Sequence, residues 1–189
     1  MVQLISKRIG QIEHLNNCLK EGFIPSPYEY LTSRKPLWLL PKDHAIKLKK
    51  LILKFKPTNI LELGTGSGYA TLHMYEAAKE YGGNISTIEY DPKKIALAKF
   101  HLKDLPITLI QGKITDIIKE WKTPIDFLFI DANKHESLSY LITLWPNLNK
   151  SCIIVADDCD KETMKSFVNY CSLNCEIIQN TDLLIVIKK

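Results

Sequence analysis

Residues 59–72 read NILELGTGSGYATL, and the architecture follows from this stretch. Ile60, Leu61 and Leu63 form a short apolar run broken only by Glu62. The run stops at Gly64, and a helical pattern begins at Tyr69. A short apolar run that ends in glycines and turns into a helix is the pattern of a buried parallel strand feeding a helix. Glycine at 64, 66 and 68 lets the backbone turn tightly and approach a ligand with no Cβ in between. The helix start adds free N–H groups and the positive end of a dipole, which suit an anionic group.

The spacing is Gly-x-Gly-x-Gly, with Tyr69 where a dinucleotide-binding fingerprint has its third glycine. That argues against a nicotinamide or flavin ligand. A tight strand–helix turn without any ligand is the plain alternative. The stretch resembles the first motif of the Rossmann-like S-adenosylmethionine-dependent methyltransferases, where an acid precedes the glycines as Glu62 does.

A chain of 189 residues with 46% apolar and 24% charged residues is long enough for one packed domain. The expected organisation is a single domain, with a helical extension over 1–56 and a Rossmann-like core over 57–189. The net charge of +4 comes from scattered lysines, while Arg8 and Arg34 are the two arginines. This is poor equipment for bidentate phosphate reading, so nucleic acid is not the favoured partner. The five cysteines, Cys18, Cys152, Cys159, Cys171 and Cys175, are odd in number and form no Cys-x-x-Cys pair. They read as reduced thiols of a cytoplasmic protein. Cys171 and Cys175 have the spacing of neighbours on one helix face, and packing explains them better than a metal. No signal peptide and no membrane-spanning run is legible.

Before the glycine stretch, Leu4, Ile5, Ile9, Ile12 and Leu15 recur at helical spacing, and Gly22 is a stop. Pro25, Pro27 and Pro36 mark an irregular crossing segment that includes Tyr28 and Tyr30. Pro41 and Asp43 open a helix to about Phe55. After the glycine stretch, helices alternate with strands expected at 85–88, 107–110, 125–130 and 152–155. Helices are expected over Tyr69 to Tyr81, from Asp91-Pro92, over Ile114 to Trp121, over His135 to Leu148 and over Lys161 to Cys171. Strands over 176–179 and 183–187 close the chain as an antiparallel pair. The expected fold is therefore α/β: doubly wound and Rossmann-like, with a mostly parallel seven-stranded sheet and an antiparallel last strand.

In such a sheet, ligands bind at the carboxyl ends of the strands. Glu89, Asp131, Asp157 and Asp158 each fall at the end of an expected strand. A carboxylate at Glu89 can accept both hydroxyls of an adenosine ribose. Asp131, Asp157 and Asp158 would repel one another unless something positive sits between them, and a hard divalent cation fits. The alternative is that Asp157 and Asp158 cap the next helix. Lys134 lies three residues after Asp131. Beside a cation and out of water its ammonium would be disfavoured, so its pKa is expected below that of free lysine and it can serve as a general base. The alternatives are a surface lysine, or a base at His135.

At these residues the resemblance narrows. Ile60 to Asp158 resembles the magnesium-dependent O-methyltransferases related to catechol and caffeoyl-CoA O-methyltransferases. Leu61, Glu62 and Gly64 match the LE-x-G start of the first motif, and Gly68-Tyr69 match its helix opening. Glu89 to Pro92 match the ribose acid followed by x-x-Pro. Asp131 and Lys134 match the spacing of a metal aspartate and a catalytic lysine. Ala156, Asp157 and Asp158 stand where the family has Ala-Asp-Asn, and the LLIVIKK ending is similar to its last strand. The resemblance implies S-adenosylmethionine contacts at Glu62, Gly64, Gly66, Gly68, Tyr69, Glu89, Tyr90, Gly112, Thr115 and Asp131. It implies a divalent cation, magnesium first, at Asp131, Asp157 and Asp158, and Lys134 as the catalytic residue. It also implies a small hydroxylated, catechol-like acceptor, and a homodimer is compatible with it. The departures are Asp158 for asparagine, Thr115 or Asp116 in place of a polar pair, Ala70 for a serine with Thr71 beside it, and a shorter segment after strand five. Two other readings remain open from the sequence: an RNA hydroxyl-base methyltransferase, and a non-catalytic nucleoside-binding protein with a decayed metal site.

Overall fold

A computed structural model describes residues 2–28, 31 and 35–189; Tyr30 and Arg34 lie outside the described residues. Two helices, α1 (Val2–Lys20) and α2 (Lys42–Phe55), precede the first strand. The alternating part runs β1 (Asn59–Leu63), α3 (Tyr69–Ala78), β2 (Asn84–Glu89), α4 (Pro92–Leu102), β3 (Ile107–Gln111), α5 (Ile114–Ile117), β4 (Ile125–Ile130), α6 (Ser137–Leu144), β5 (Leu148–Ala156), α7 (Lys165–Asn174), β6 (Cys175–Asn180) and β7 (Leu184–Lys188). The sheet has seven strands in the order β3-β2-β1-β4-β5-β7-β6. β7 runs antiparallel to both its neighbours, β5 and β6, and the other pairings are parallel.

Side chains on a strand alternate between faces, and both faces here are covered, so the strands are apolar throughout. In β4, Phe127 and Phe129 join one core with α1, α2, α3 and α4, while Leu128 and Ile130 join the other with α6 and α7. Helix α2 buries Ala45, Leu48 and Ile52 completely in the first core.

Several expected boundaries move. β5 starts at Leu148 rather than Cys152, because the expected helix ends at Leu144 and a 3-10 turn over Trp145–Asn147 carries a proline that cannot continue it. The expected helices starting at His135 and Lys161 each begin with a 3-10 turn, Lys134–Glu136 and Glu162–Met164. Cys175 does not share a helix face with Cys171; it is the first residue of β6. Both are buried, and all five cysteines are free thiols.

Strand order reverses between β1 and β4, which opens a crevice at their carboxyl ends. The register aligns what leaves the sheet there. Leu63 pairs with Ile88 and with Ile130, and Ile130 pairs with Ala156. The next residues, Gly64, Glu89, Asp131 and Asp157, therefore emerge level with one another. Their backbones continue the ladder: Gly64 N donates to Ile88 O (3.0 Å), Asp131 N to Leu63 O (3.0 Å) and Asp157 N to Ile130 O (3.2 Å).

Candidate active site

Above this row lies a cavity of about 1310 Å³. Its floor is the glycine loop and the strand-end acids, and its other wall comes from α1, α2 and the segment between them.

Gly64 is required by crowding. A Cβ there would lie 2.1 Å from the carbonyl oxygen of Asp131, and φ is +98°. Gly66 has open space where a Cβ would go, so the loop presents bare backbone to the cavity. Glu89 is 4% exposed, and its carboxylate is already oriented. Oε1 accepts from the backbone N–H of Tyr90 (2.9 Å) and Asp91 (3.0 Å), and Oε2 accepts from Gly66 N (2.9 Å). A carboxylate has about four acceptor positions, so Oε2 keeps one for an incoming hydroxyl. Ser67, also on the wall, has a buried Oγ with no hydrogen-bond partner among the described residues. A polar nucleoside ligand fits a cavity that offers a preset acceptor and an unpartnered hydroxyl.

Glu62 is placed elsewhere. It is fully buried behind the loop and does not reach the cavity. Its Oε2 accepts from Thr71 Oγ1 at 2.5 Å, and Oε1 has no hydrogen-bond partner among the described residues. Burial drives its carboxyl pKa up to about 8. Thr71, beside Ala70, is thereby committed to Glu62, while Ala70 itself lines the cavity. Gly68 and Gly112 are not on the wall, whereas Tyr69, Tyr90 and Thr115 are. The Tyr69 hydroxyl donates to Glu13 Oε1 (2.8 Å), which ties α3 to α1.

At the other end, Asp131, Asp157 and Asp158 bring carboxylate oxygens within 4.8 Å of one another. Lys134 points its Nζ into them, 2.7 Å from Asp131 Oδ1, 3.3 Å from Asp158 Oδ2 and 3.3 Å from the Asp157 carbonyl. A protein ammonium thus stands where a cation would, and an all-oxygen donor set fits a hard divalent ion. Asp158 takes a left-handed φ of +61°, a conformation that Asp and Asn tolerate best among side-chain-bearing residues. Its added charge, relative to asparagine, is met by Lys161 Nζ at 2.8 Å. Burial pushes the Asp158 carboxyl up, but Lys161 and Lys134 outweigh it and hold the pKa below the ordinary value. Asp157 goes the other way: burial and the neighbouring Asp131 raise it against a hydrogen bond from His44.

The expected fall in the Lys134 pKa belongs to a site with a cation beside it. Burial disfavours its ammonium, but Asp131, Asp158 and Asp157 outweigh burial, and its pKa lies above that of free lysine. His135 is exposed and off the cavity wall.

Three wall residues carried no signal in the sequence. His44 of α2 is buried, with Nδ1 2.9 Å from Asp157 Oδ1 and Nε2 3.4 Å from Asp182 Oδ2. Ser67 is one of the small residues between glycines. Trp38 is 92% exposed on the cavity wall, with Lys94 Nζ 5.7 Å from its ring centroid.

Residues 61–159, more than half of the chain, match the family described as "Methyltransferase domain". The chain belongs to that methyltransferase-domain family. It is 36% identical over 108 residues to a catechol O-methyltransferase of Niastella koreensis, covering 53% of this chain and 48% of that protein. It is 34% identical over 106 residues to an O-methyltransferase of Aspergillus thermomutatus, covering 52% and 44%. The chain thus spans about half the length of the curated relatives it matches. Among solved structures, the O-methyltransferase of Bacillus cereus in complex with SAH superposes with a TM-score of 0.78 at 17% identity, over 97% of this chain and 91% of that one. That likeness extends the shared fold to the two N-terminal helices, outside the matched methyltransferase domain. Among the described residues, no helix is long and apolar enough to cross a membrane.

Proposed function

We propose that the chain is an S-adenosylmethionine-dependent O-methyltransferase that uses a divalent cation, magnesium first, to methylate a small hydroxylated, catechol-like acceptor. The observation that carries this reading is the level row of strand ends. It places the preset Glu89 carboxylate beside the glycine loop, and the Asp131–Asp157–Asp158 cluster with Lys134, on one cavity. Family membership and the activities for which the relatives are named support it.

S-adenosylmethionine supplies an electrophilic methyl group on a sulfonium. Glu89 Oε2 would accept a ribose hydroxyl, and the Gly64–Gly66 backbone would let the ligand lie close. A cation held by Asp131, Asp157 and Asp158 would supply Lewis-acid polarisation of the acceptor oxygen. Lys134 Nζ takes the acceptor proton in this scheme. Its carboxylate neighbours favour the ammonium and its burial favours the amine. Positive charge shared onto those carboxylates therefore moves Lys134 toward the amine. The exposed ring of Trp38 offers a flat apolar wall to an aromatic acceptor. The site would contribute by positioning the reacting atoms in line.

Calorimetry with SAH tests the cofactor assignment. Micromolar binding is expected, with a loss of roughly tenfold to a hundredfold in Glu89→Ala for removal of charge-assisted hydrogen bonds. Binding of NADH, with neither SAH nor S-adenosylmethionine bound, overturns the reading.

A further inference from the structure

We propose that His44 is a positioning residue for the Asp157 carboxylate, so that helix α2 helps to set the cation affinity of the acidic cluster. The inference rests on the cation reading above. His44 lies outside the segment that matches the methyltransferase domain.

The imidazole of His44 is enclosed, with its side chain 9% exposed. Its two ring nitrogens face three carboxylates: Nδ1 is 2.9 Å from Asp157 Oδ1, and Nε2 is 3.4 Å from Asp182 Oδ2 and 3.9 Å from Asp43 Oδ2. The shorter contact assigns an Nδ1–H that donates to Asp157. Among the described residues, this is the hydrogen bond that holds the Asp157 carboxylate. Lys134 bonds the backbone carbonyl of Asp157 and spends its other contacts on Asp131 and Asp158. Asp157 thus has its Oδ1 tied from α2, which leaves Oδ2 for the cluster. Without His44, that carboxylate can turn away at little cost.

His44 is itself held on a rigid element. The next residue, Ala45, is fully buried, as are Leu48 and Ile52 on the same helix. On its far side Asp182 sits in the turn between β6 and β7, and the carbonyl of Asp182 accepts from Cys159 N at 2.7 Å. One imidazole therefore links α2 to the end of β5 through Asp157 and to the β6–β7 turn through Asp182. A donor that orients a ligating group is typically worth tenfold to a hundredfold in metal affinity.

The test is titration of the purified protein with Mn2+ as the probe, by calorimetry and electron paramagnetic resonance, for the wild type, His44→Ala and His44→Gln. The Kd for Mn2+ is expected to rise roughly tenfold to a hundredfold in His44→Ala. His44→Gln, which keeps a donor, is expected to recover most of that loss. SAH affinity, measured alongside, is expected to stay at the wild-type level in both. An unchanged Mn2+ affinity in a folded His44→Ala protein overturns the positioning role and leaves the cation reading standing. Strong 14N coupling to bound Mn2+ that disappears in His44→Ala overturns it too, because the imidazole would then be a ligand. A wild type that binds SAH but no Mn2+ overturns the cation reading, and this inference with it.

Discussion

Replacing Glu62 by glutamine tests the electrostatics beneath the glycine loop. Glu62 is fully buried, its Oε1 lacks a hydrogen-bond partner among the described residues, and burial raises its pKa from 4.5 to about 8. The unfolded chain releases this proton near the ordinary carboxyl value, whereas the folded chain holds it. The contribution of Glu62 is thus full below pH 4.5 and is lost progressively as pH rises toward 8. At pH 7 the loss amounts to about 3 kcal/mol, because each pH unit above the unfolded value costs about 1.4 kcal/mol while the folded chain keeps the proton. Glutamine cannot ionise. Its carbonyl can keep the hydrogen bond from Thr71, and its amide replaces an oxygen that had no partner. Urea denaturation of the wild type and Glu62→Gln across pH 5 to 8 reads the effect. The two should differ least at the acid end, and Glu62→Gln should gain on the wild type by about 3 kcal/mol toward neutrality. Parallel pH profiles for the two proteins would refute the argument that burial keeps Glu62 protonated.

Gly64→Ala should lower folding stability by at least about 3 kcal/mol, since its Cβ would collide with the Asp131 carbonyl at a positive φ. Gly66→Ala, where the space is open, should cost only about 1 kcal/mol, and equal denaturation midpoints for the two variants would contradict the close approach. His101 is held neutral by burial, with its pKa lowered to about 4, between the Tyr28 hydroxyl and the Ser67 carbonyl. Its contribution is complete above pH 6.5 and lost as pH falls toward 4, so wild-type stability should drop about 3 kcal/mol more than that of His101→Gln over that window in acid titrations. Lys134→Ala should reduce turnover on the order of a hundredfold with unchanged SAH affinity, measured by single-turnover kinetics and calorimetry. Near-native turnover there, with loss in His135→Ala, would move the base one residue along.

Much of this architecture was legible because its signals are local. The apolar runs of β1 and β4 and the glycines that end β1 required no knowledge of distant contacts. Proline at 92 and glycine at 22 marked helix limits in the same way. The placement of Glu89, Asp131 and Asp157 at strand ends was legible too, since periodicity locates where a buried run stops. What the sequence concealed depends on which way a residue turns once the strands pair. Glu62 looked like a ligand contact because it precedes the glycines, but strand alternation points it beneath the loop toward Thr71. His44 carried no signal because its partners, Asp157 and Asp182, are more than a hundred residues away. Lys134 was expected below the ordinary lysine range with a cation beside it and burial around it. On their own, the three carboxylates around the ammonium outweigh burial, and how close they come depends on how the strands pair. The first half of β5 is hidden in the sequence because the stretch Asn149–Ser151 is polar.

The position of β7 bears on how the chain assembles during synthesis. β6 leaves the ribosome before β7, yet its place in the sheet is beyond β7, against which its backbone pairs. Until β7 docks on β5, β6 has no seat in the sheet, and Leu184, Ile185 and Val186 of β7, buried in the finished fold, have no cover. The same docking brings the Asp182 carbonyl to Cys159 N, next to Asp157 and Asp158. The acidic cluster therefore takes its final shape late, after the glycine loop already has its strands. Nascent chains stalled before β7 should leave the backbone of β6 and the open edge of β5 unpaired for as long as the stall lasts, an edge that another chain can pair with.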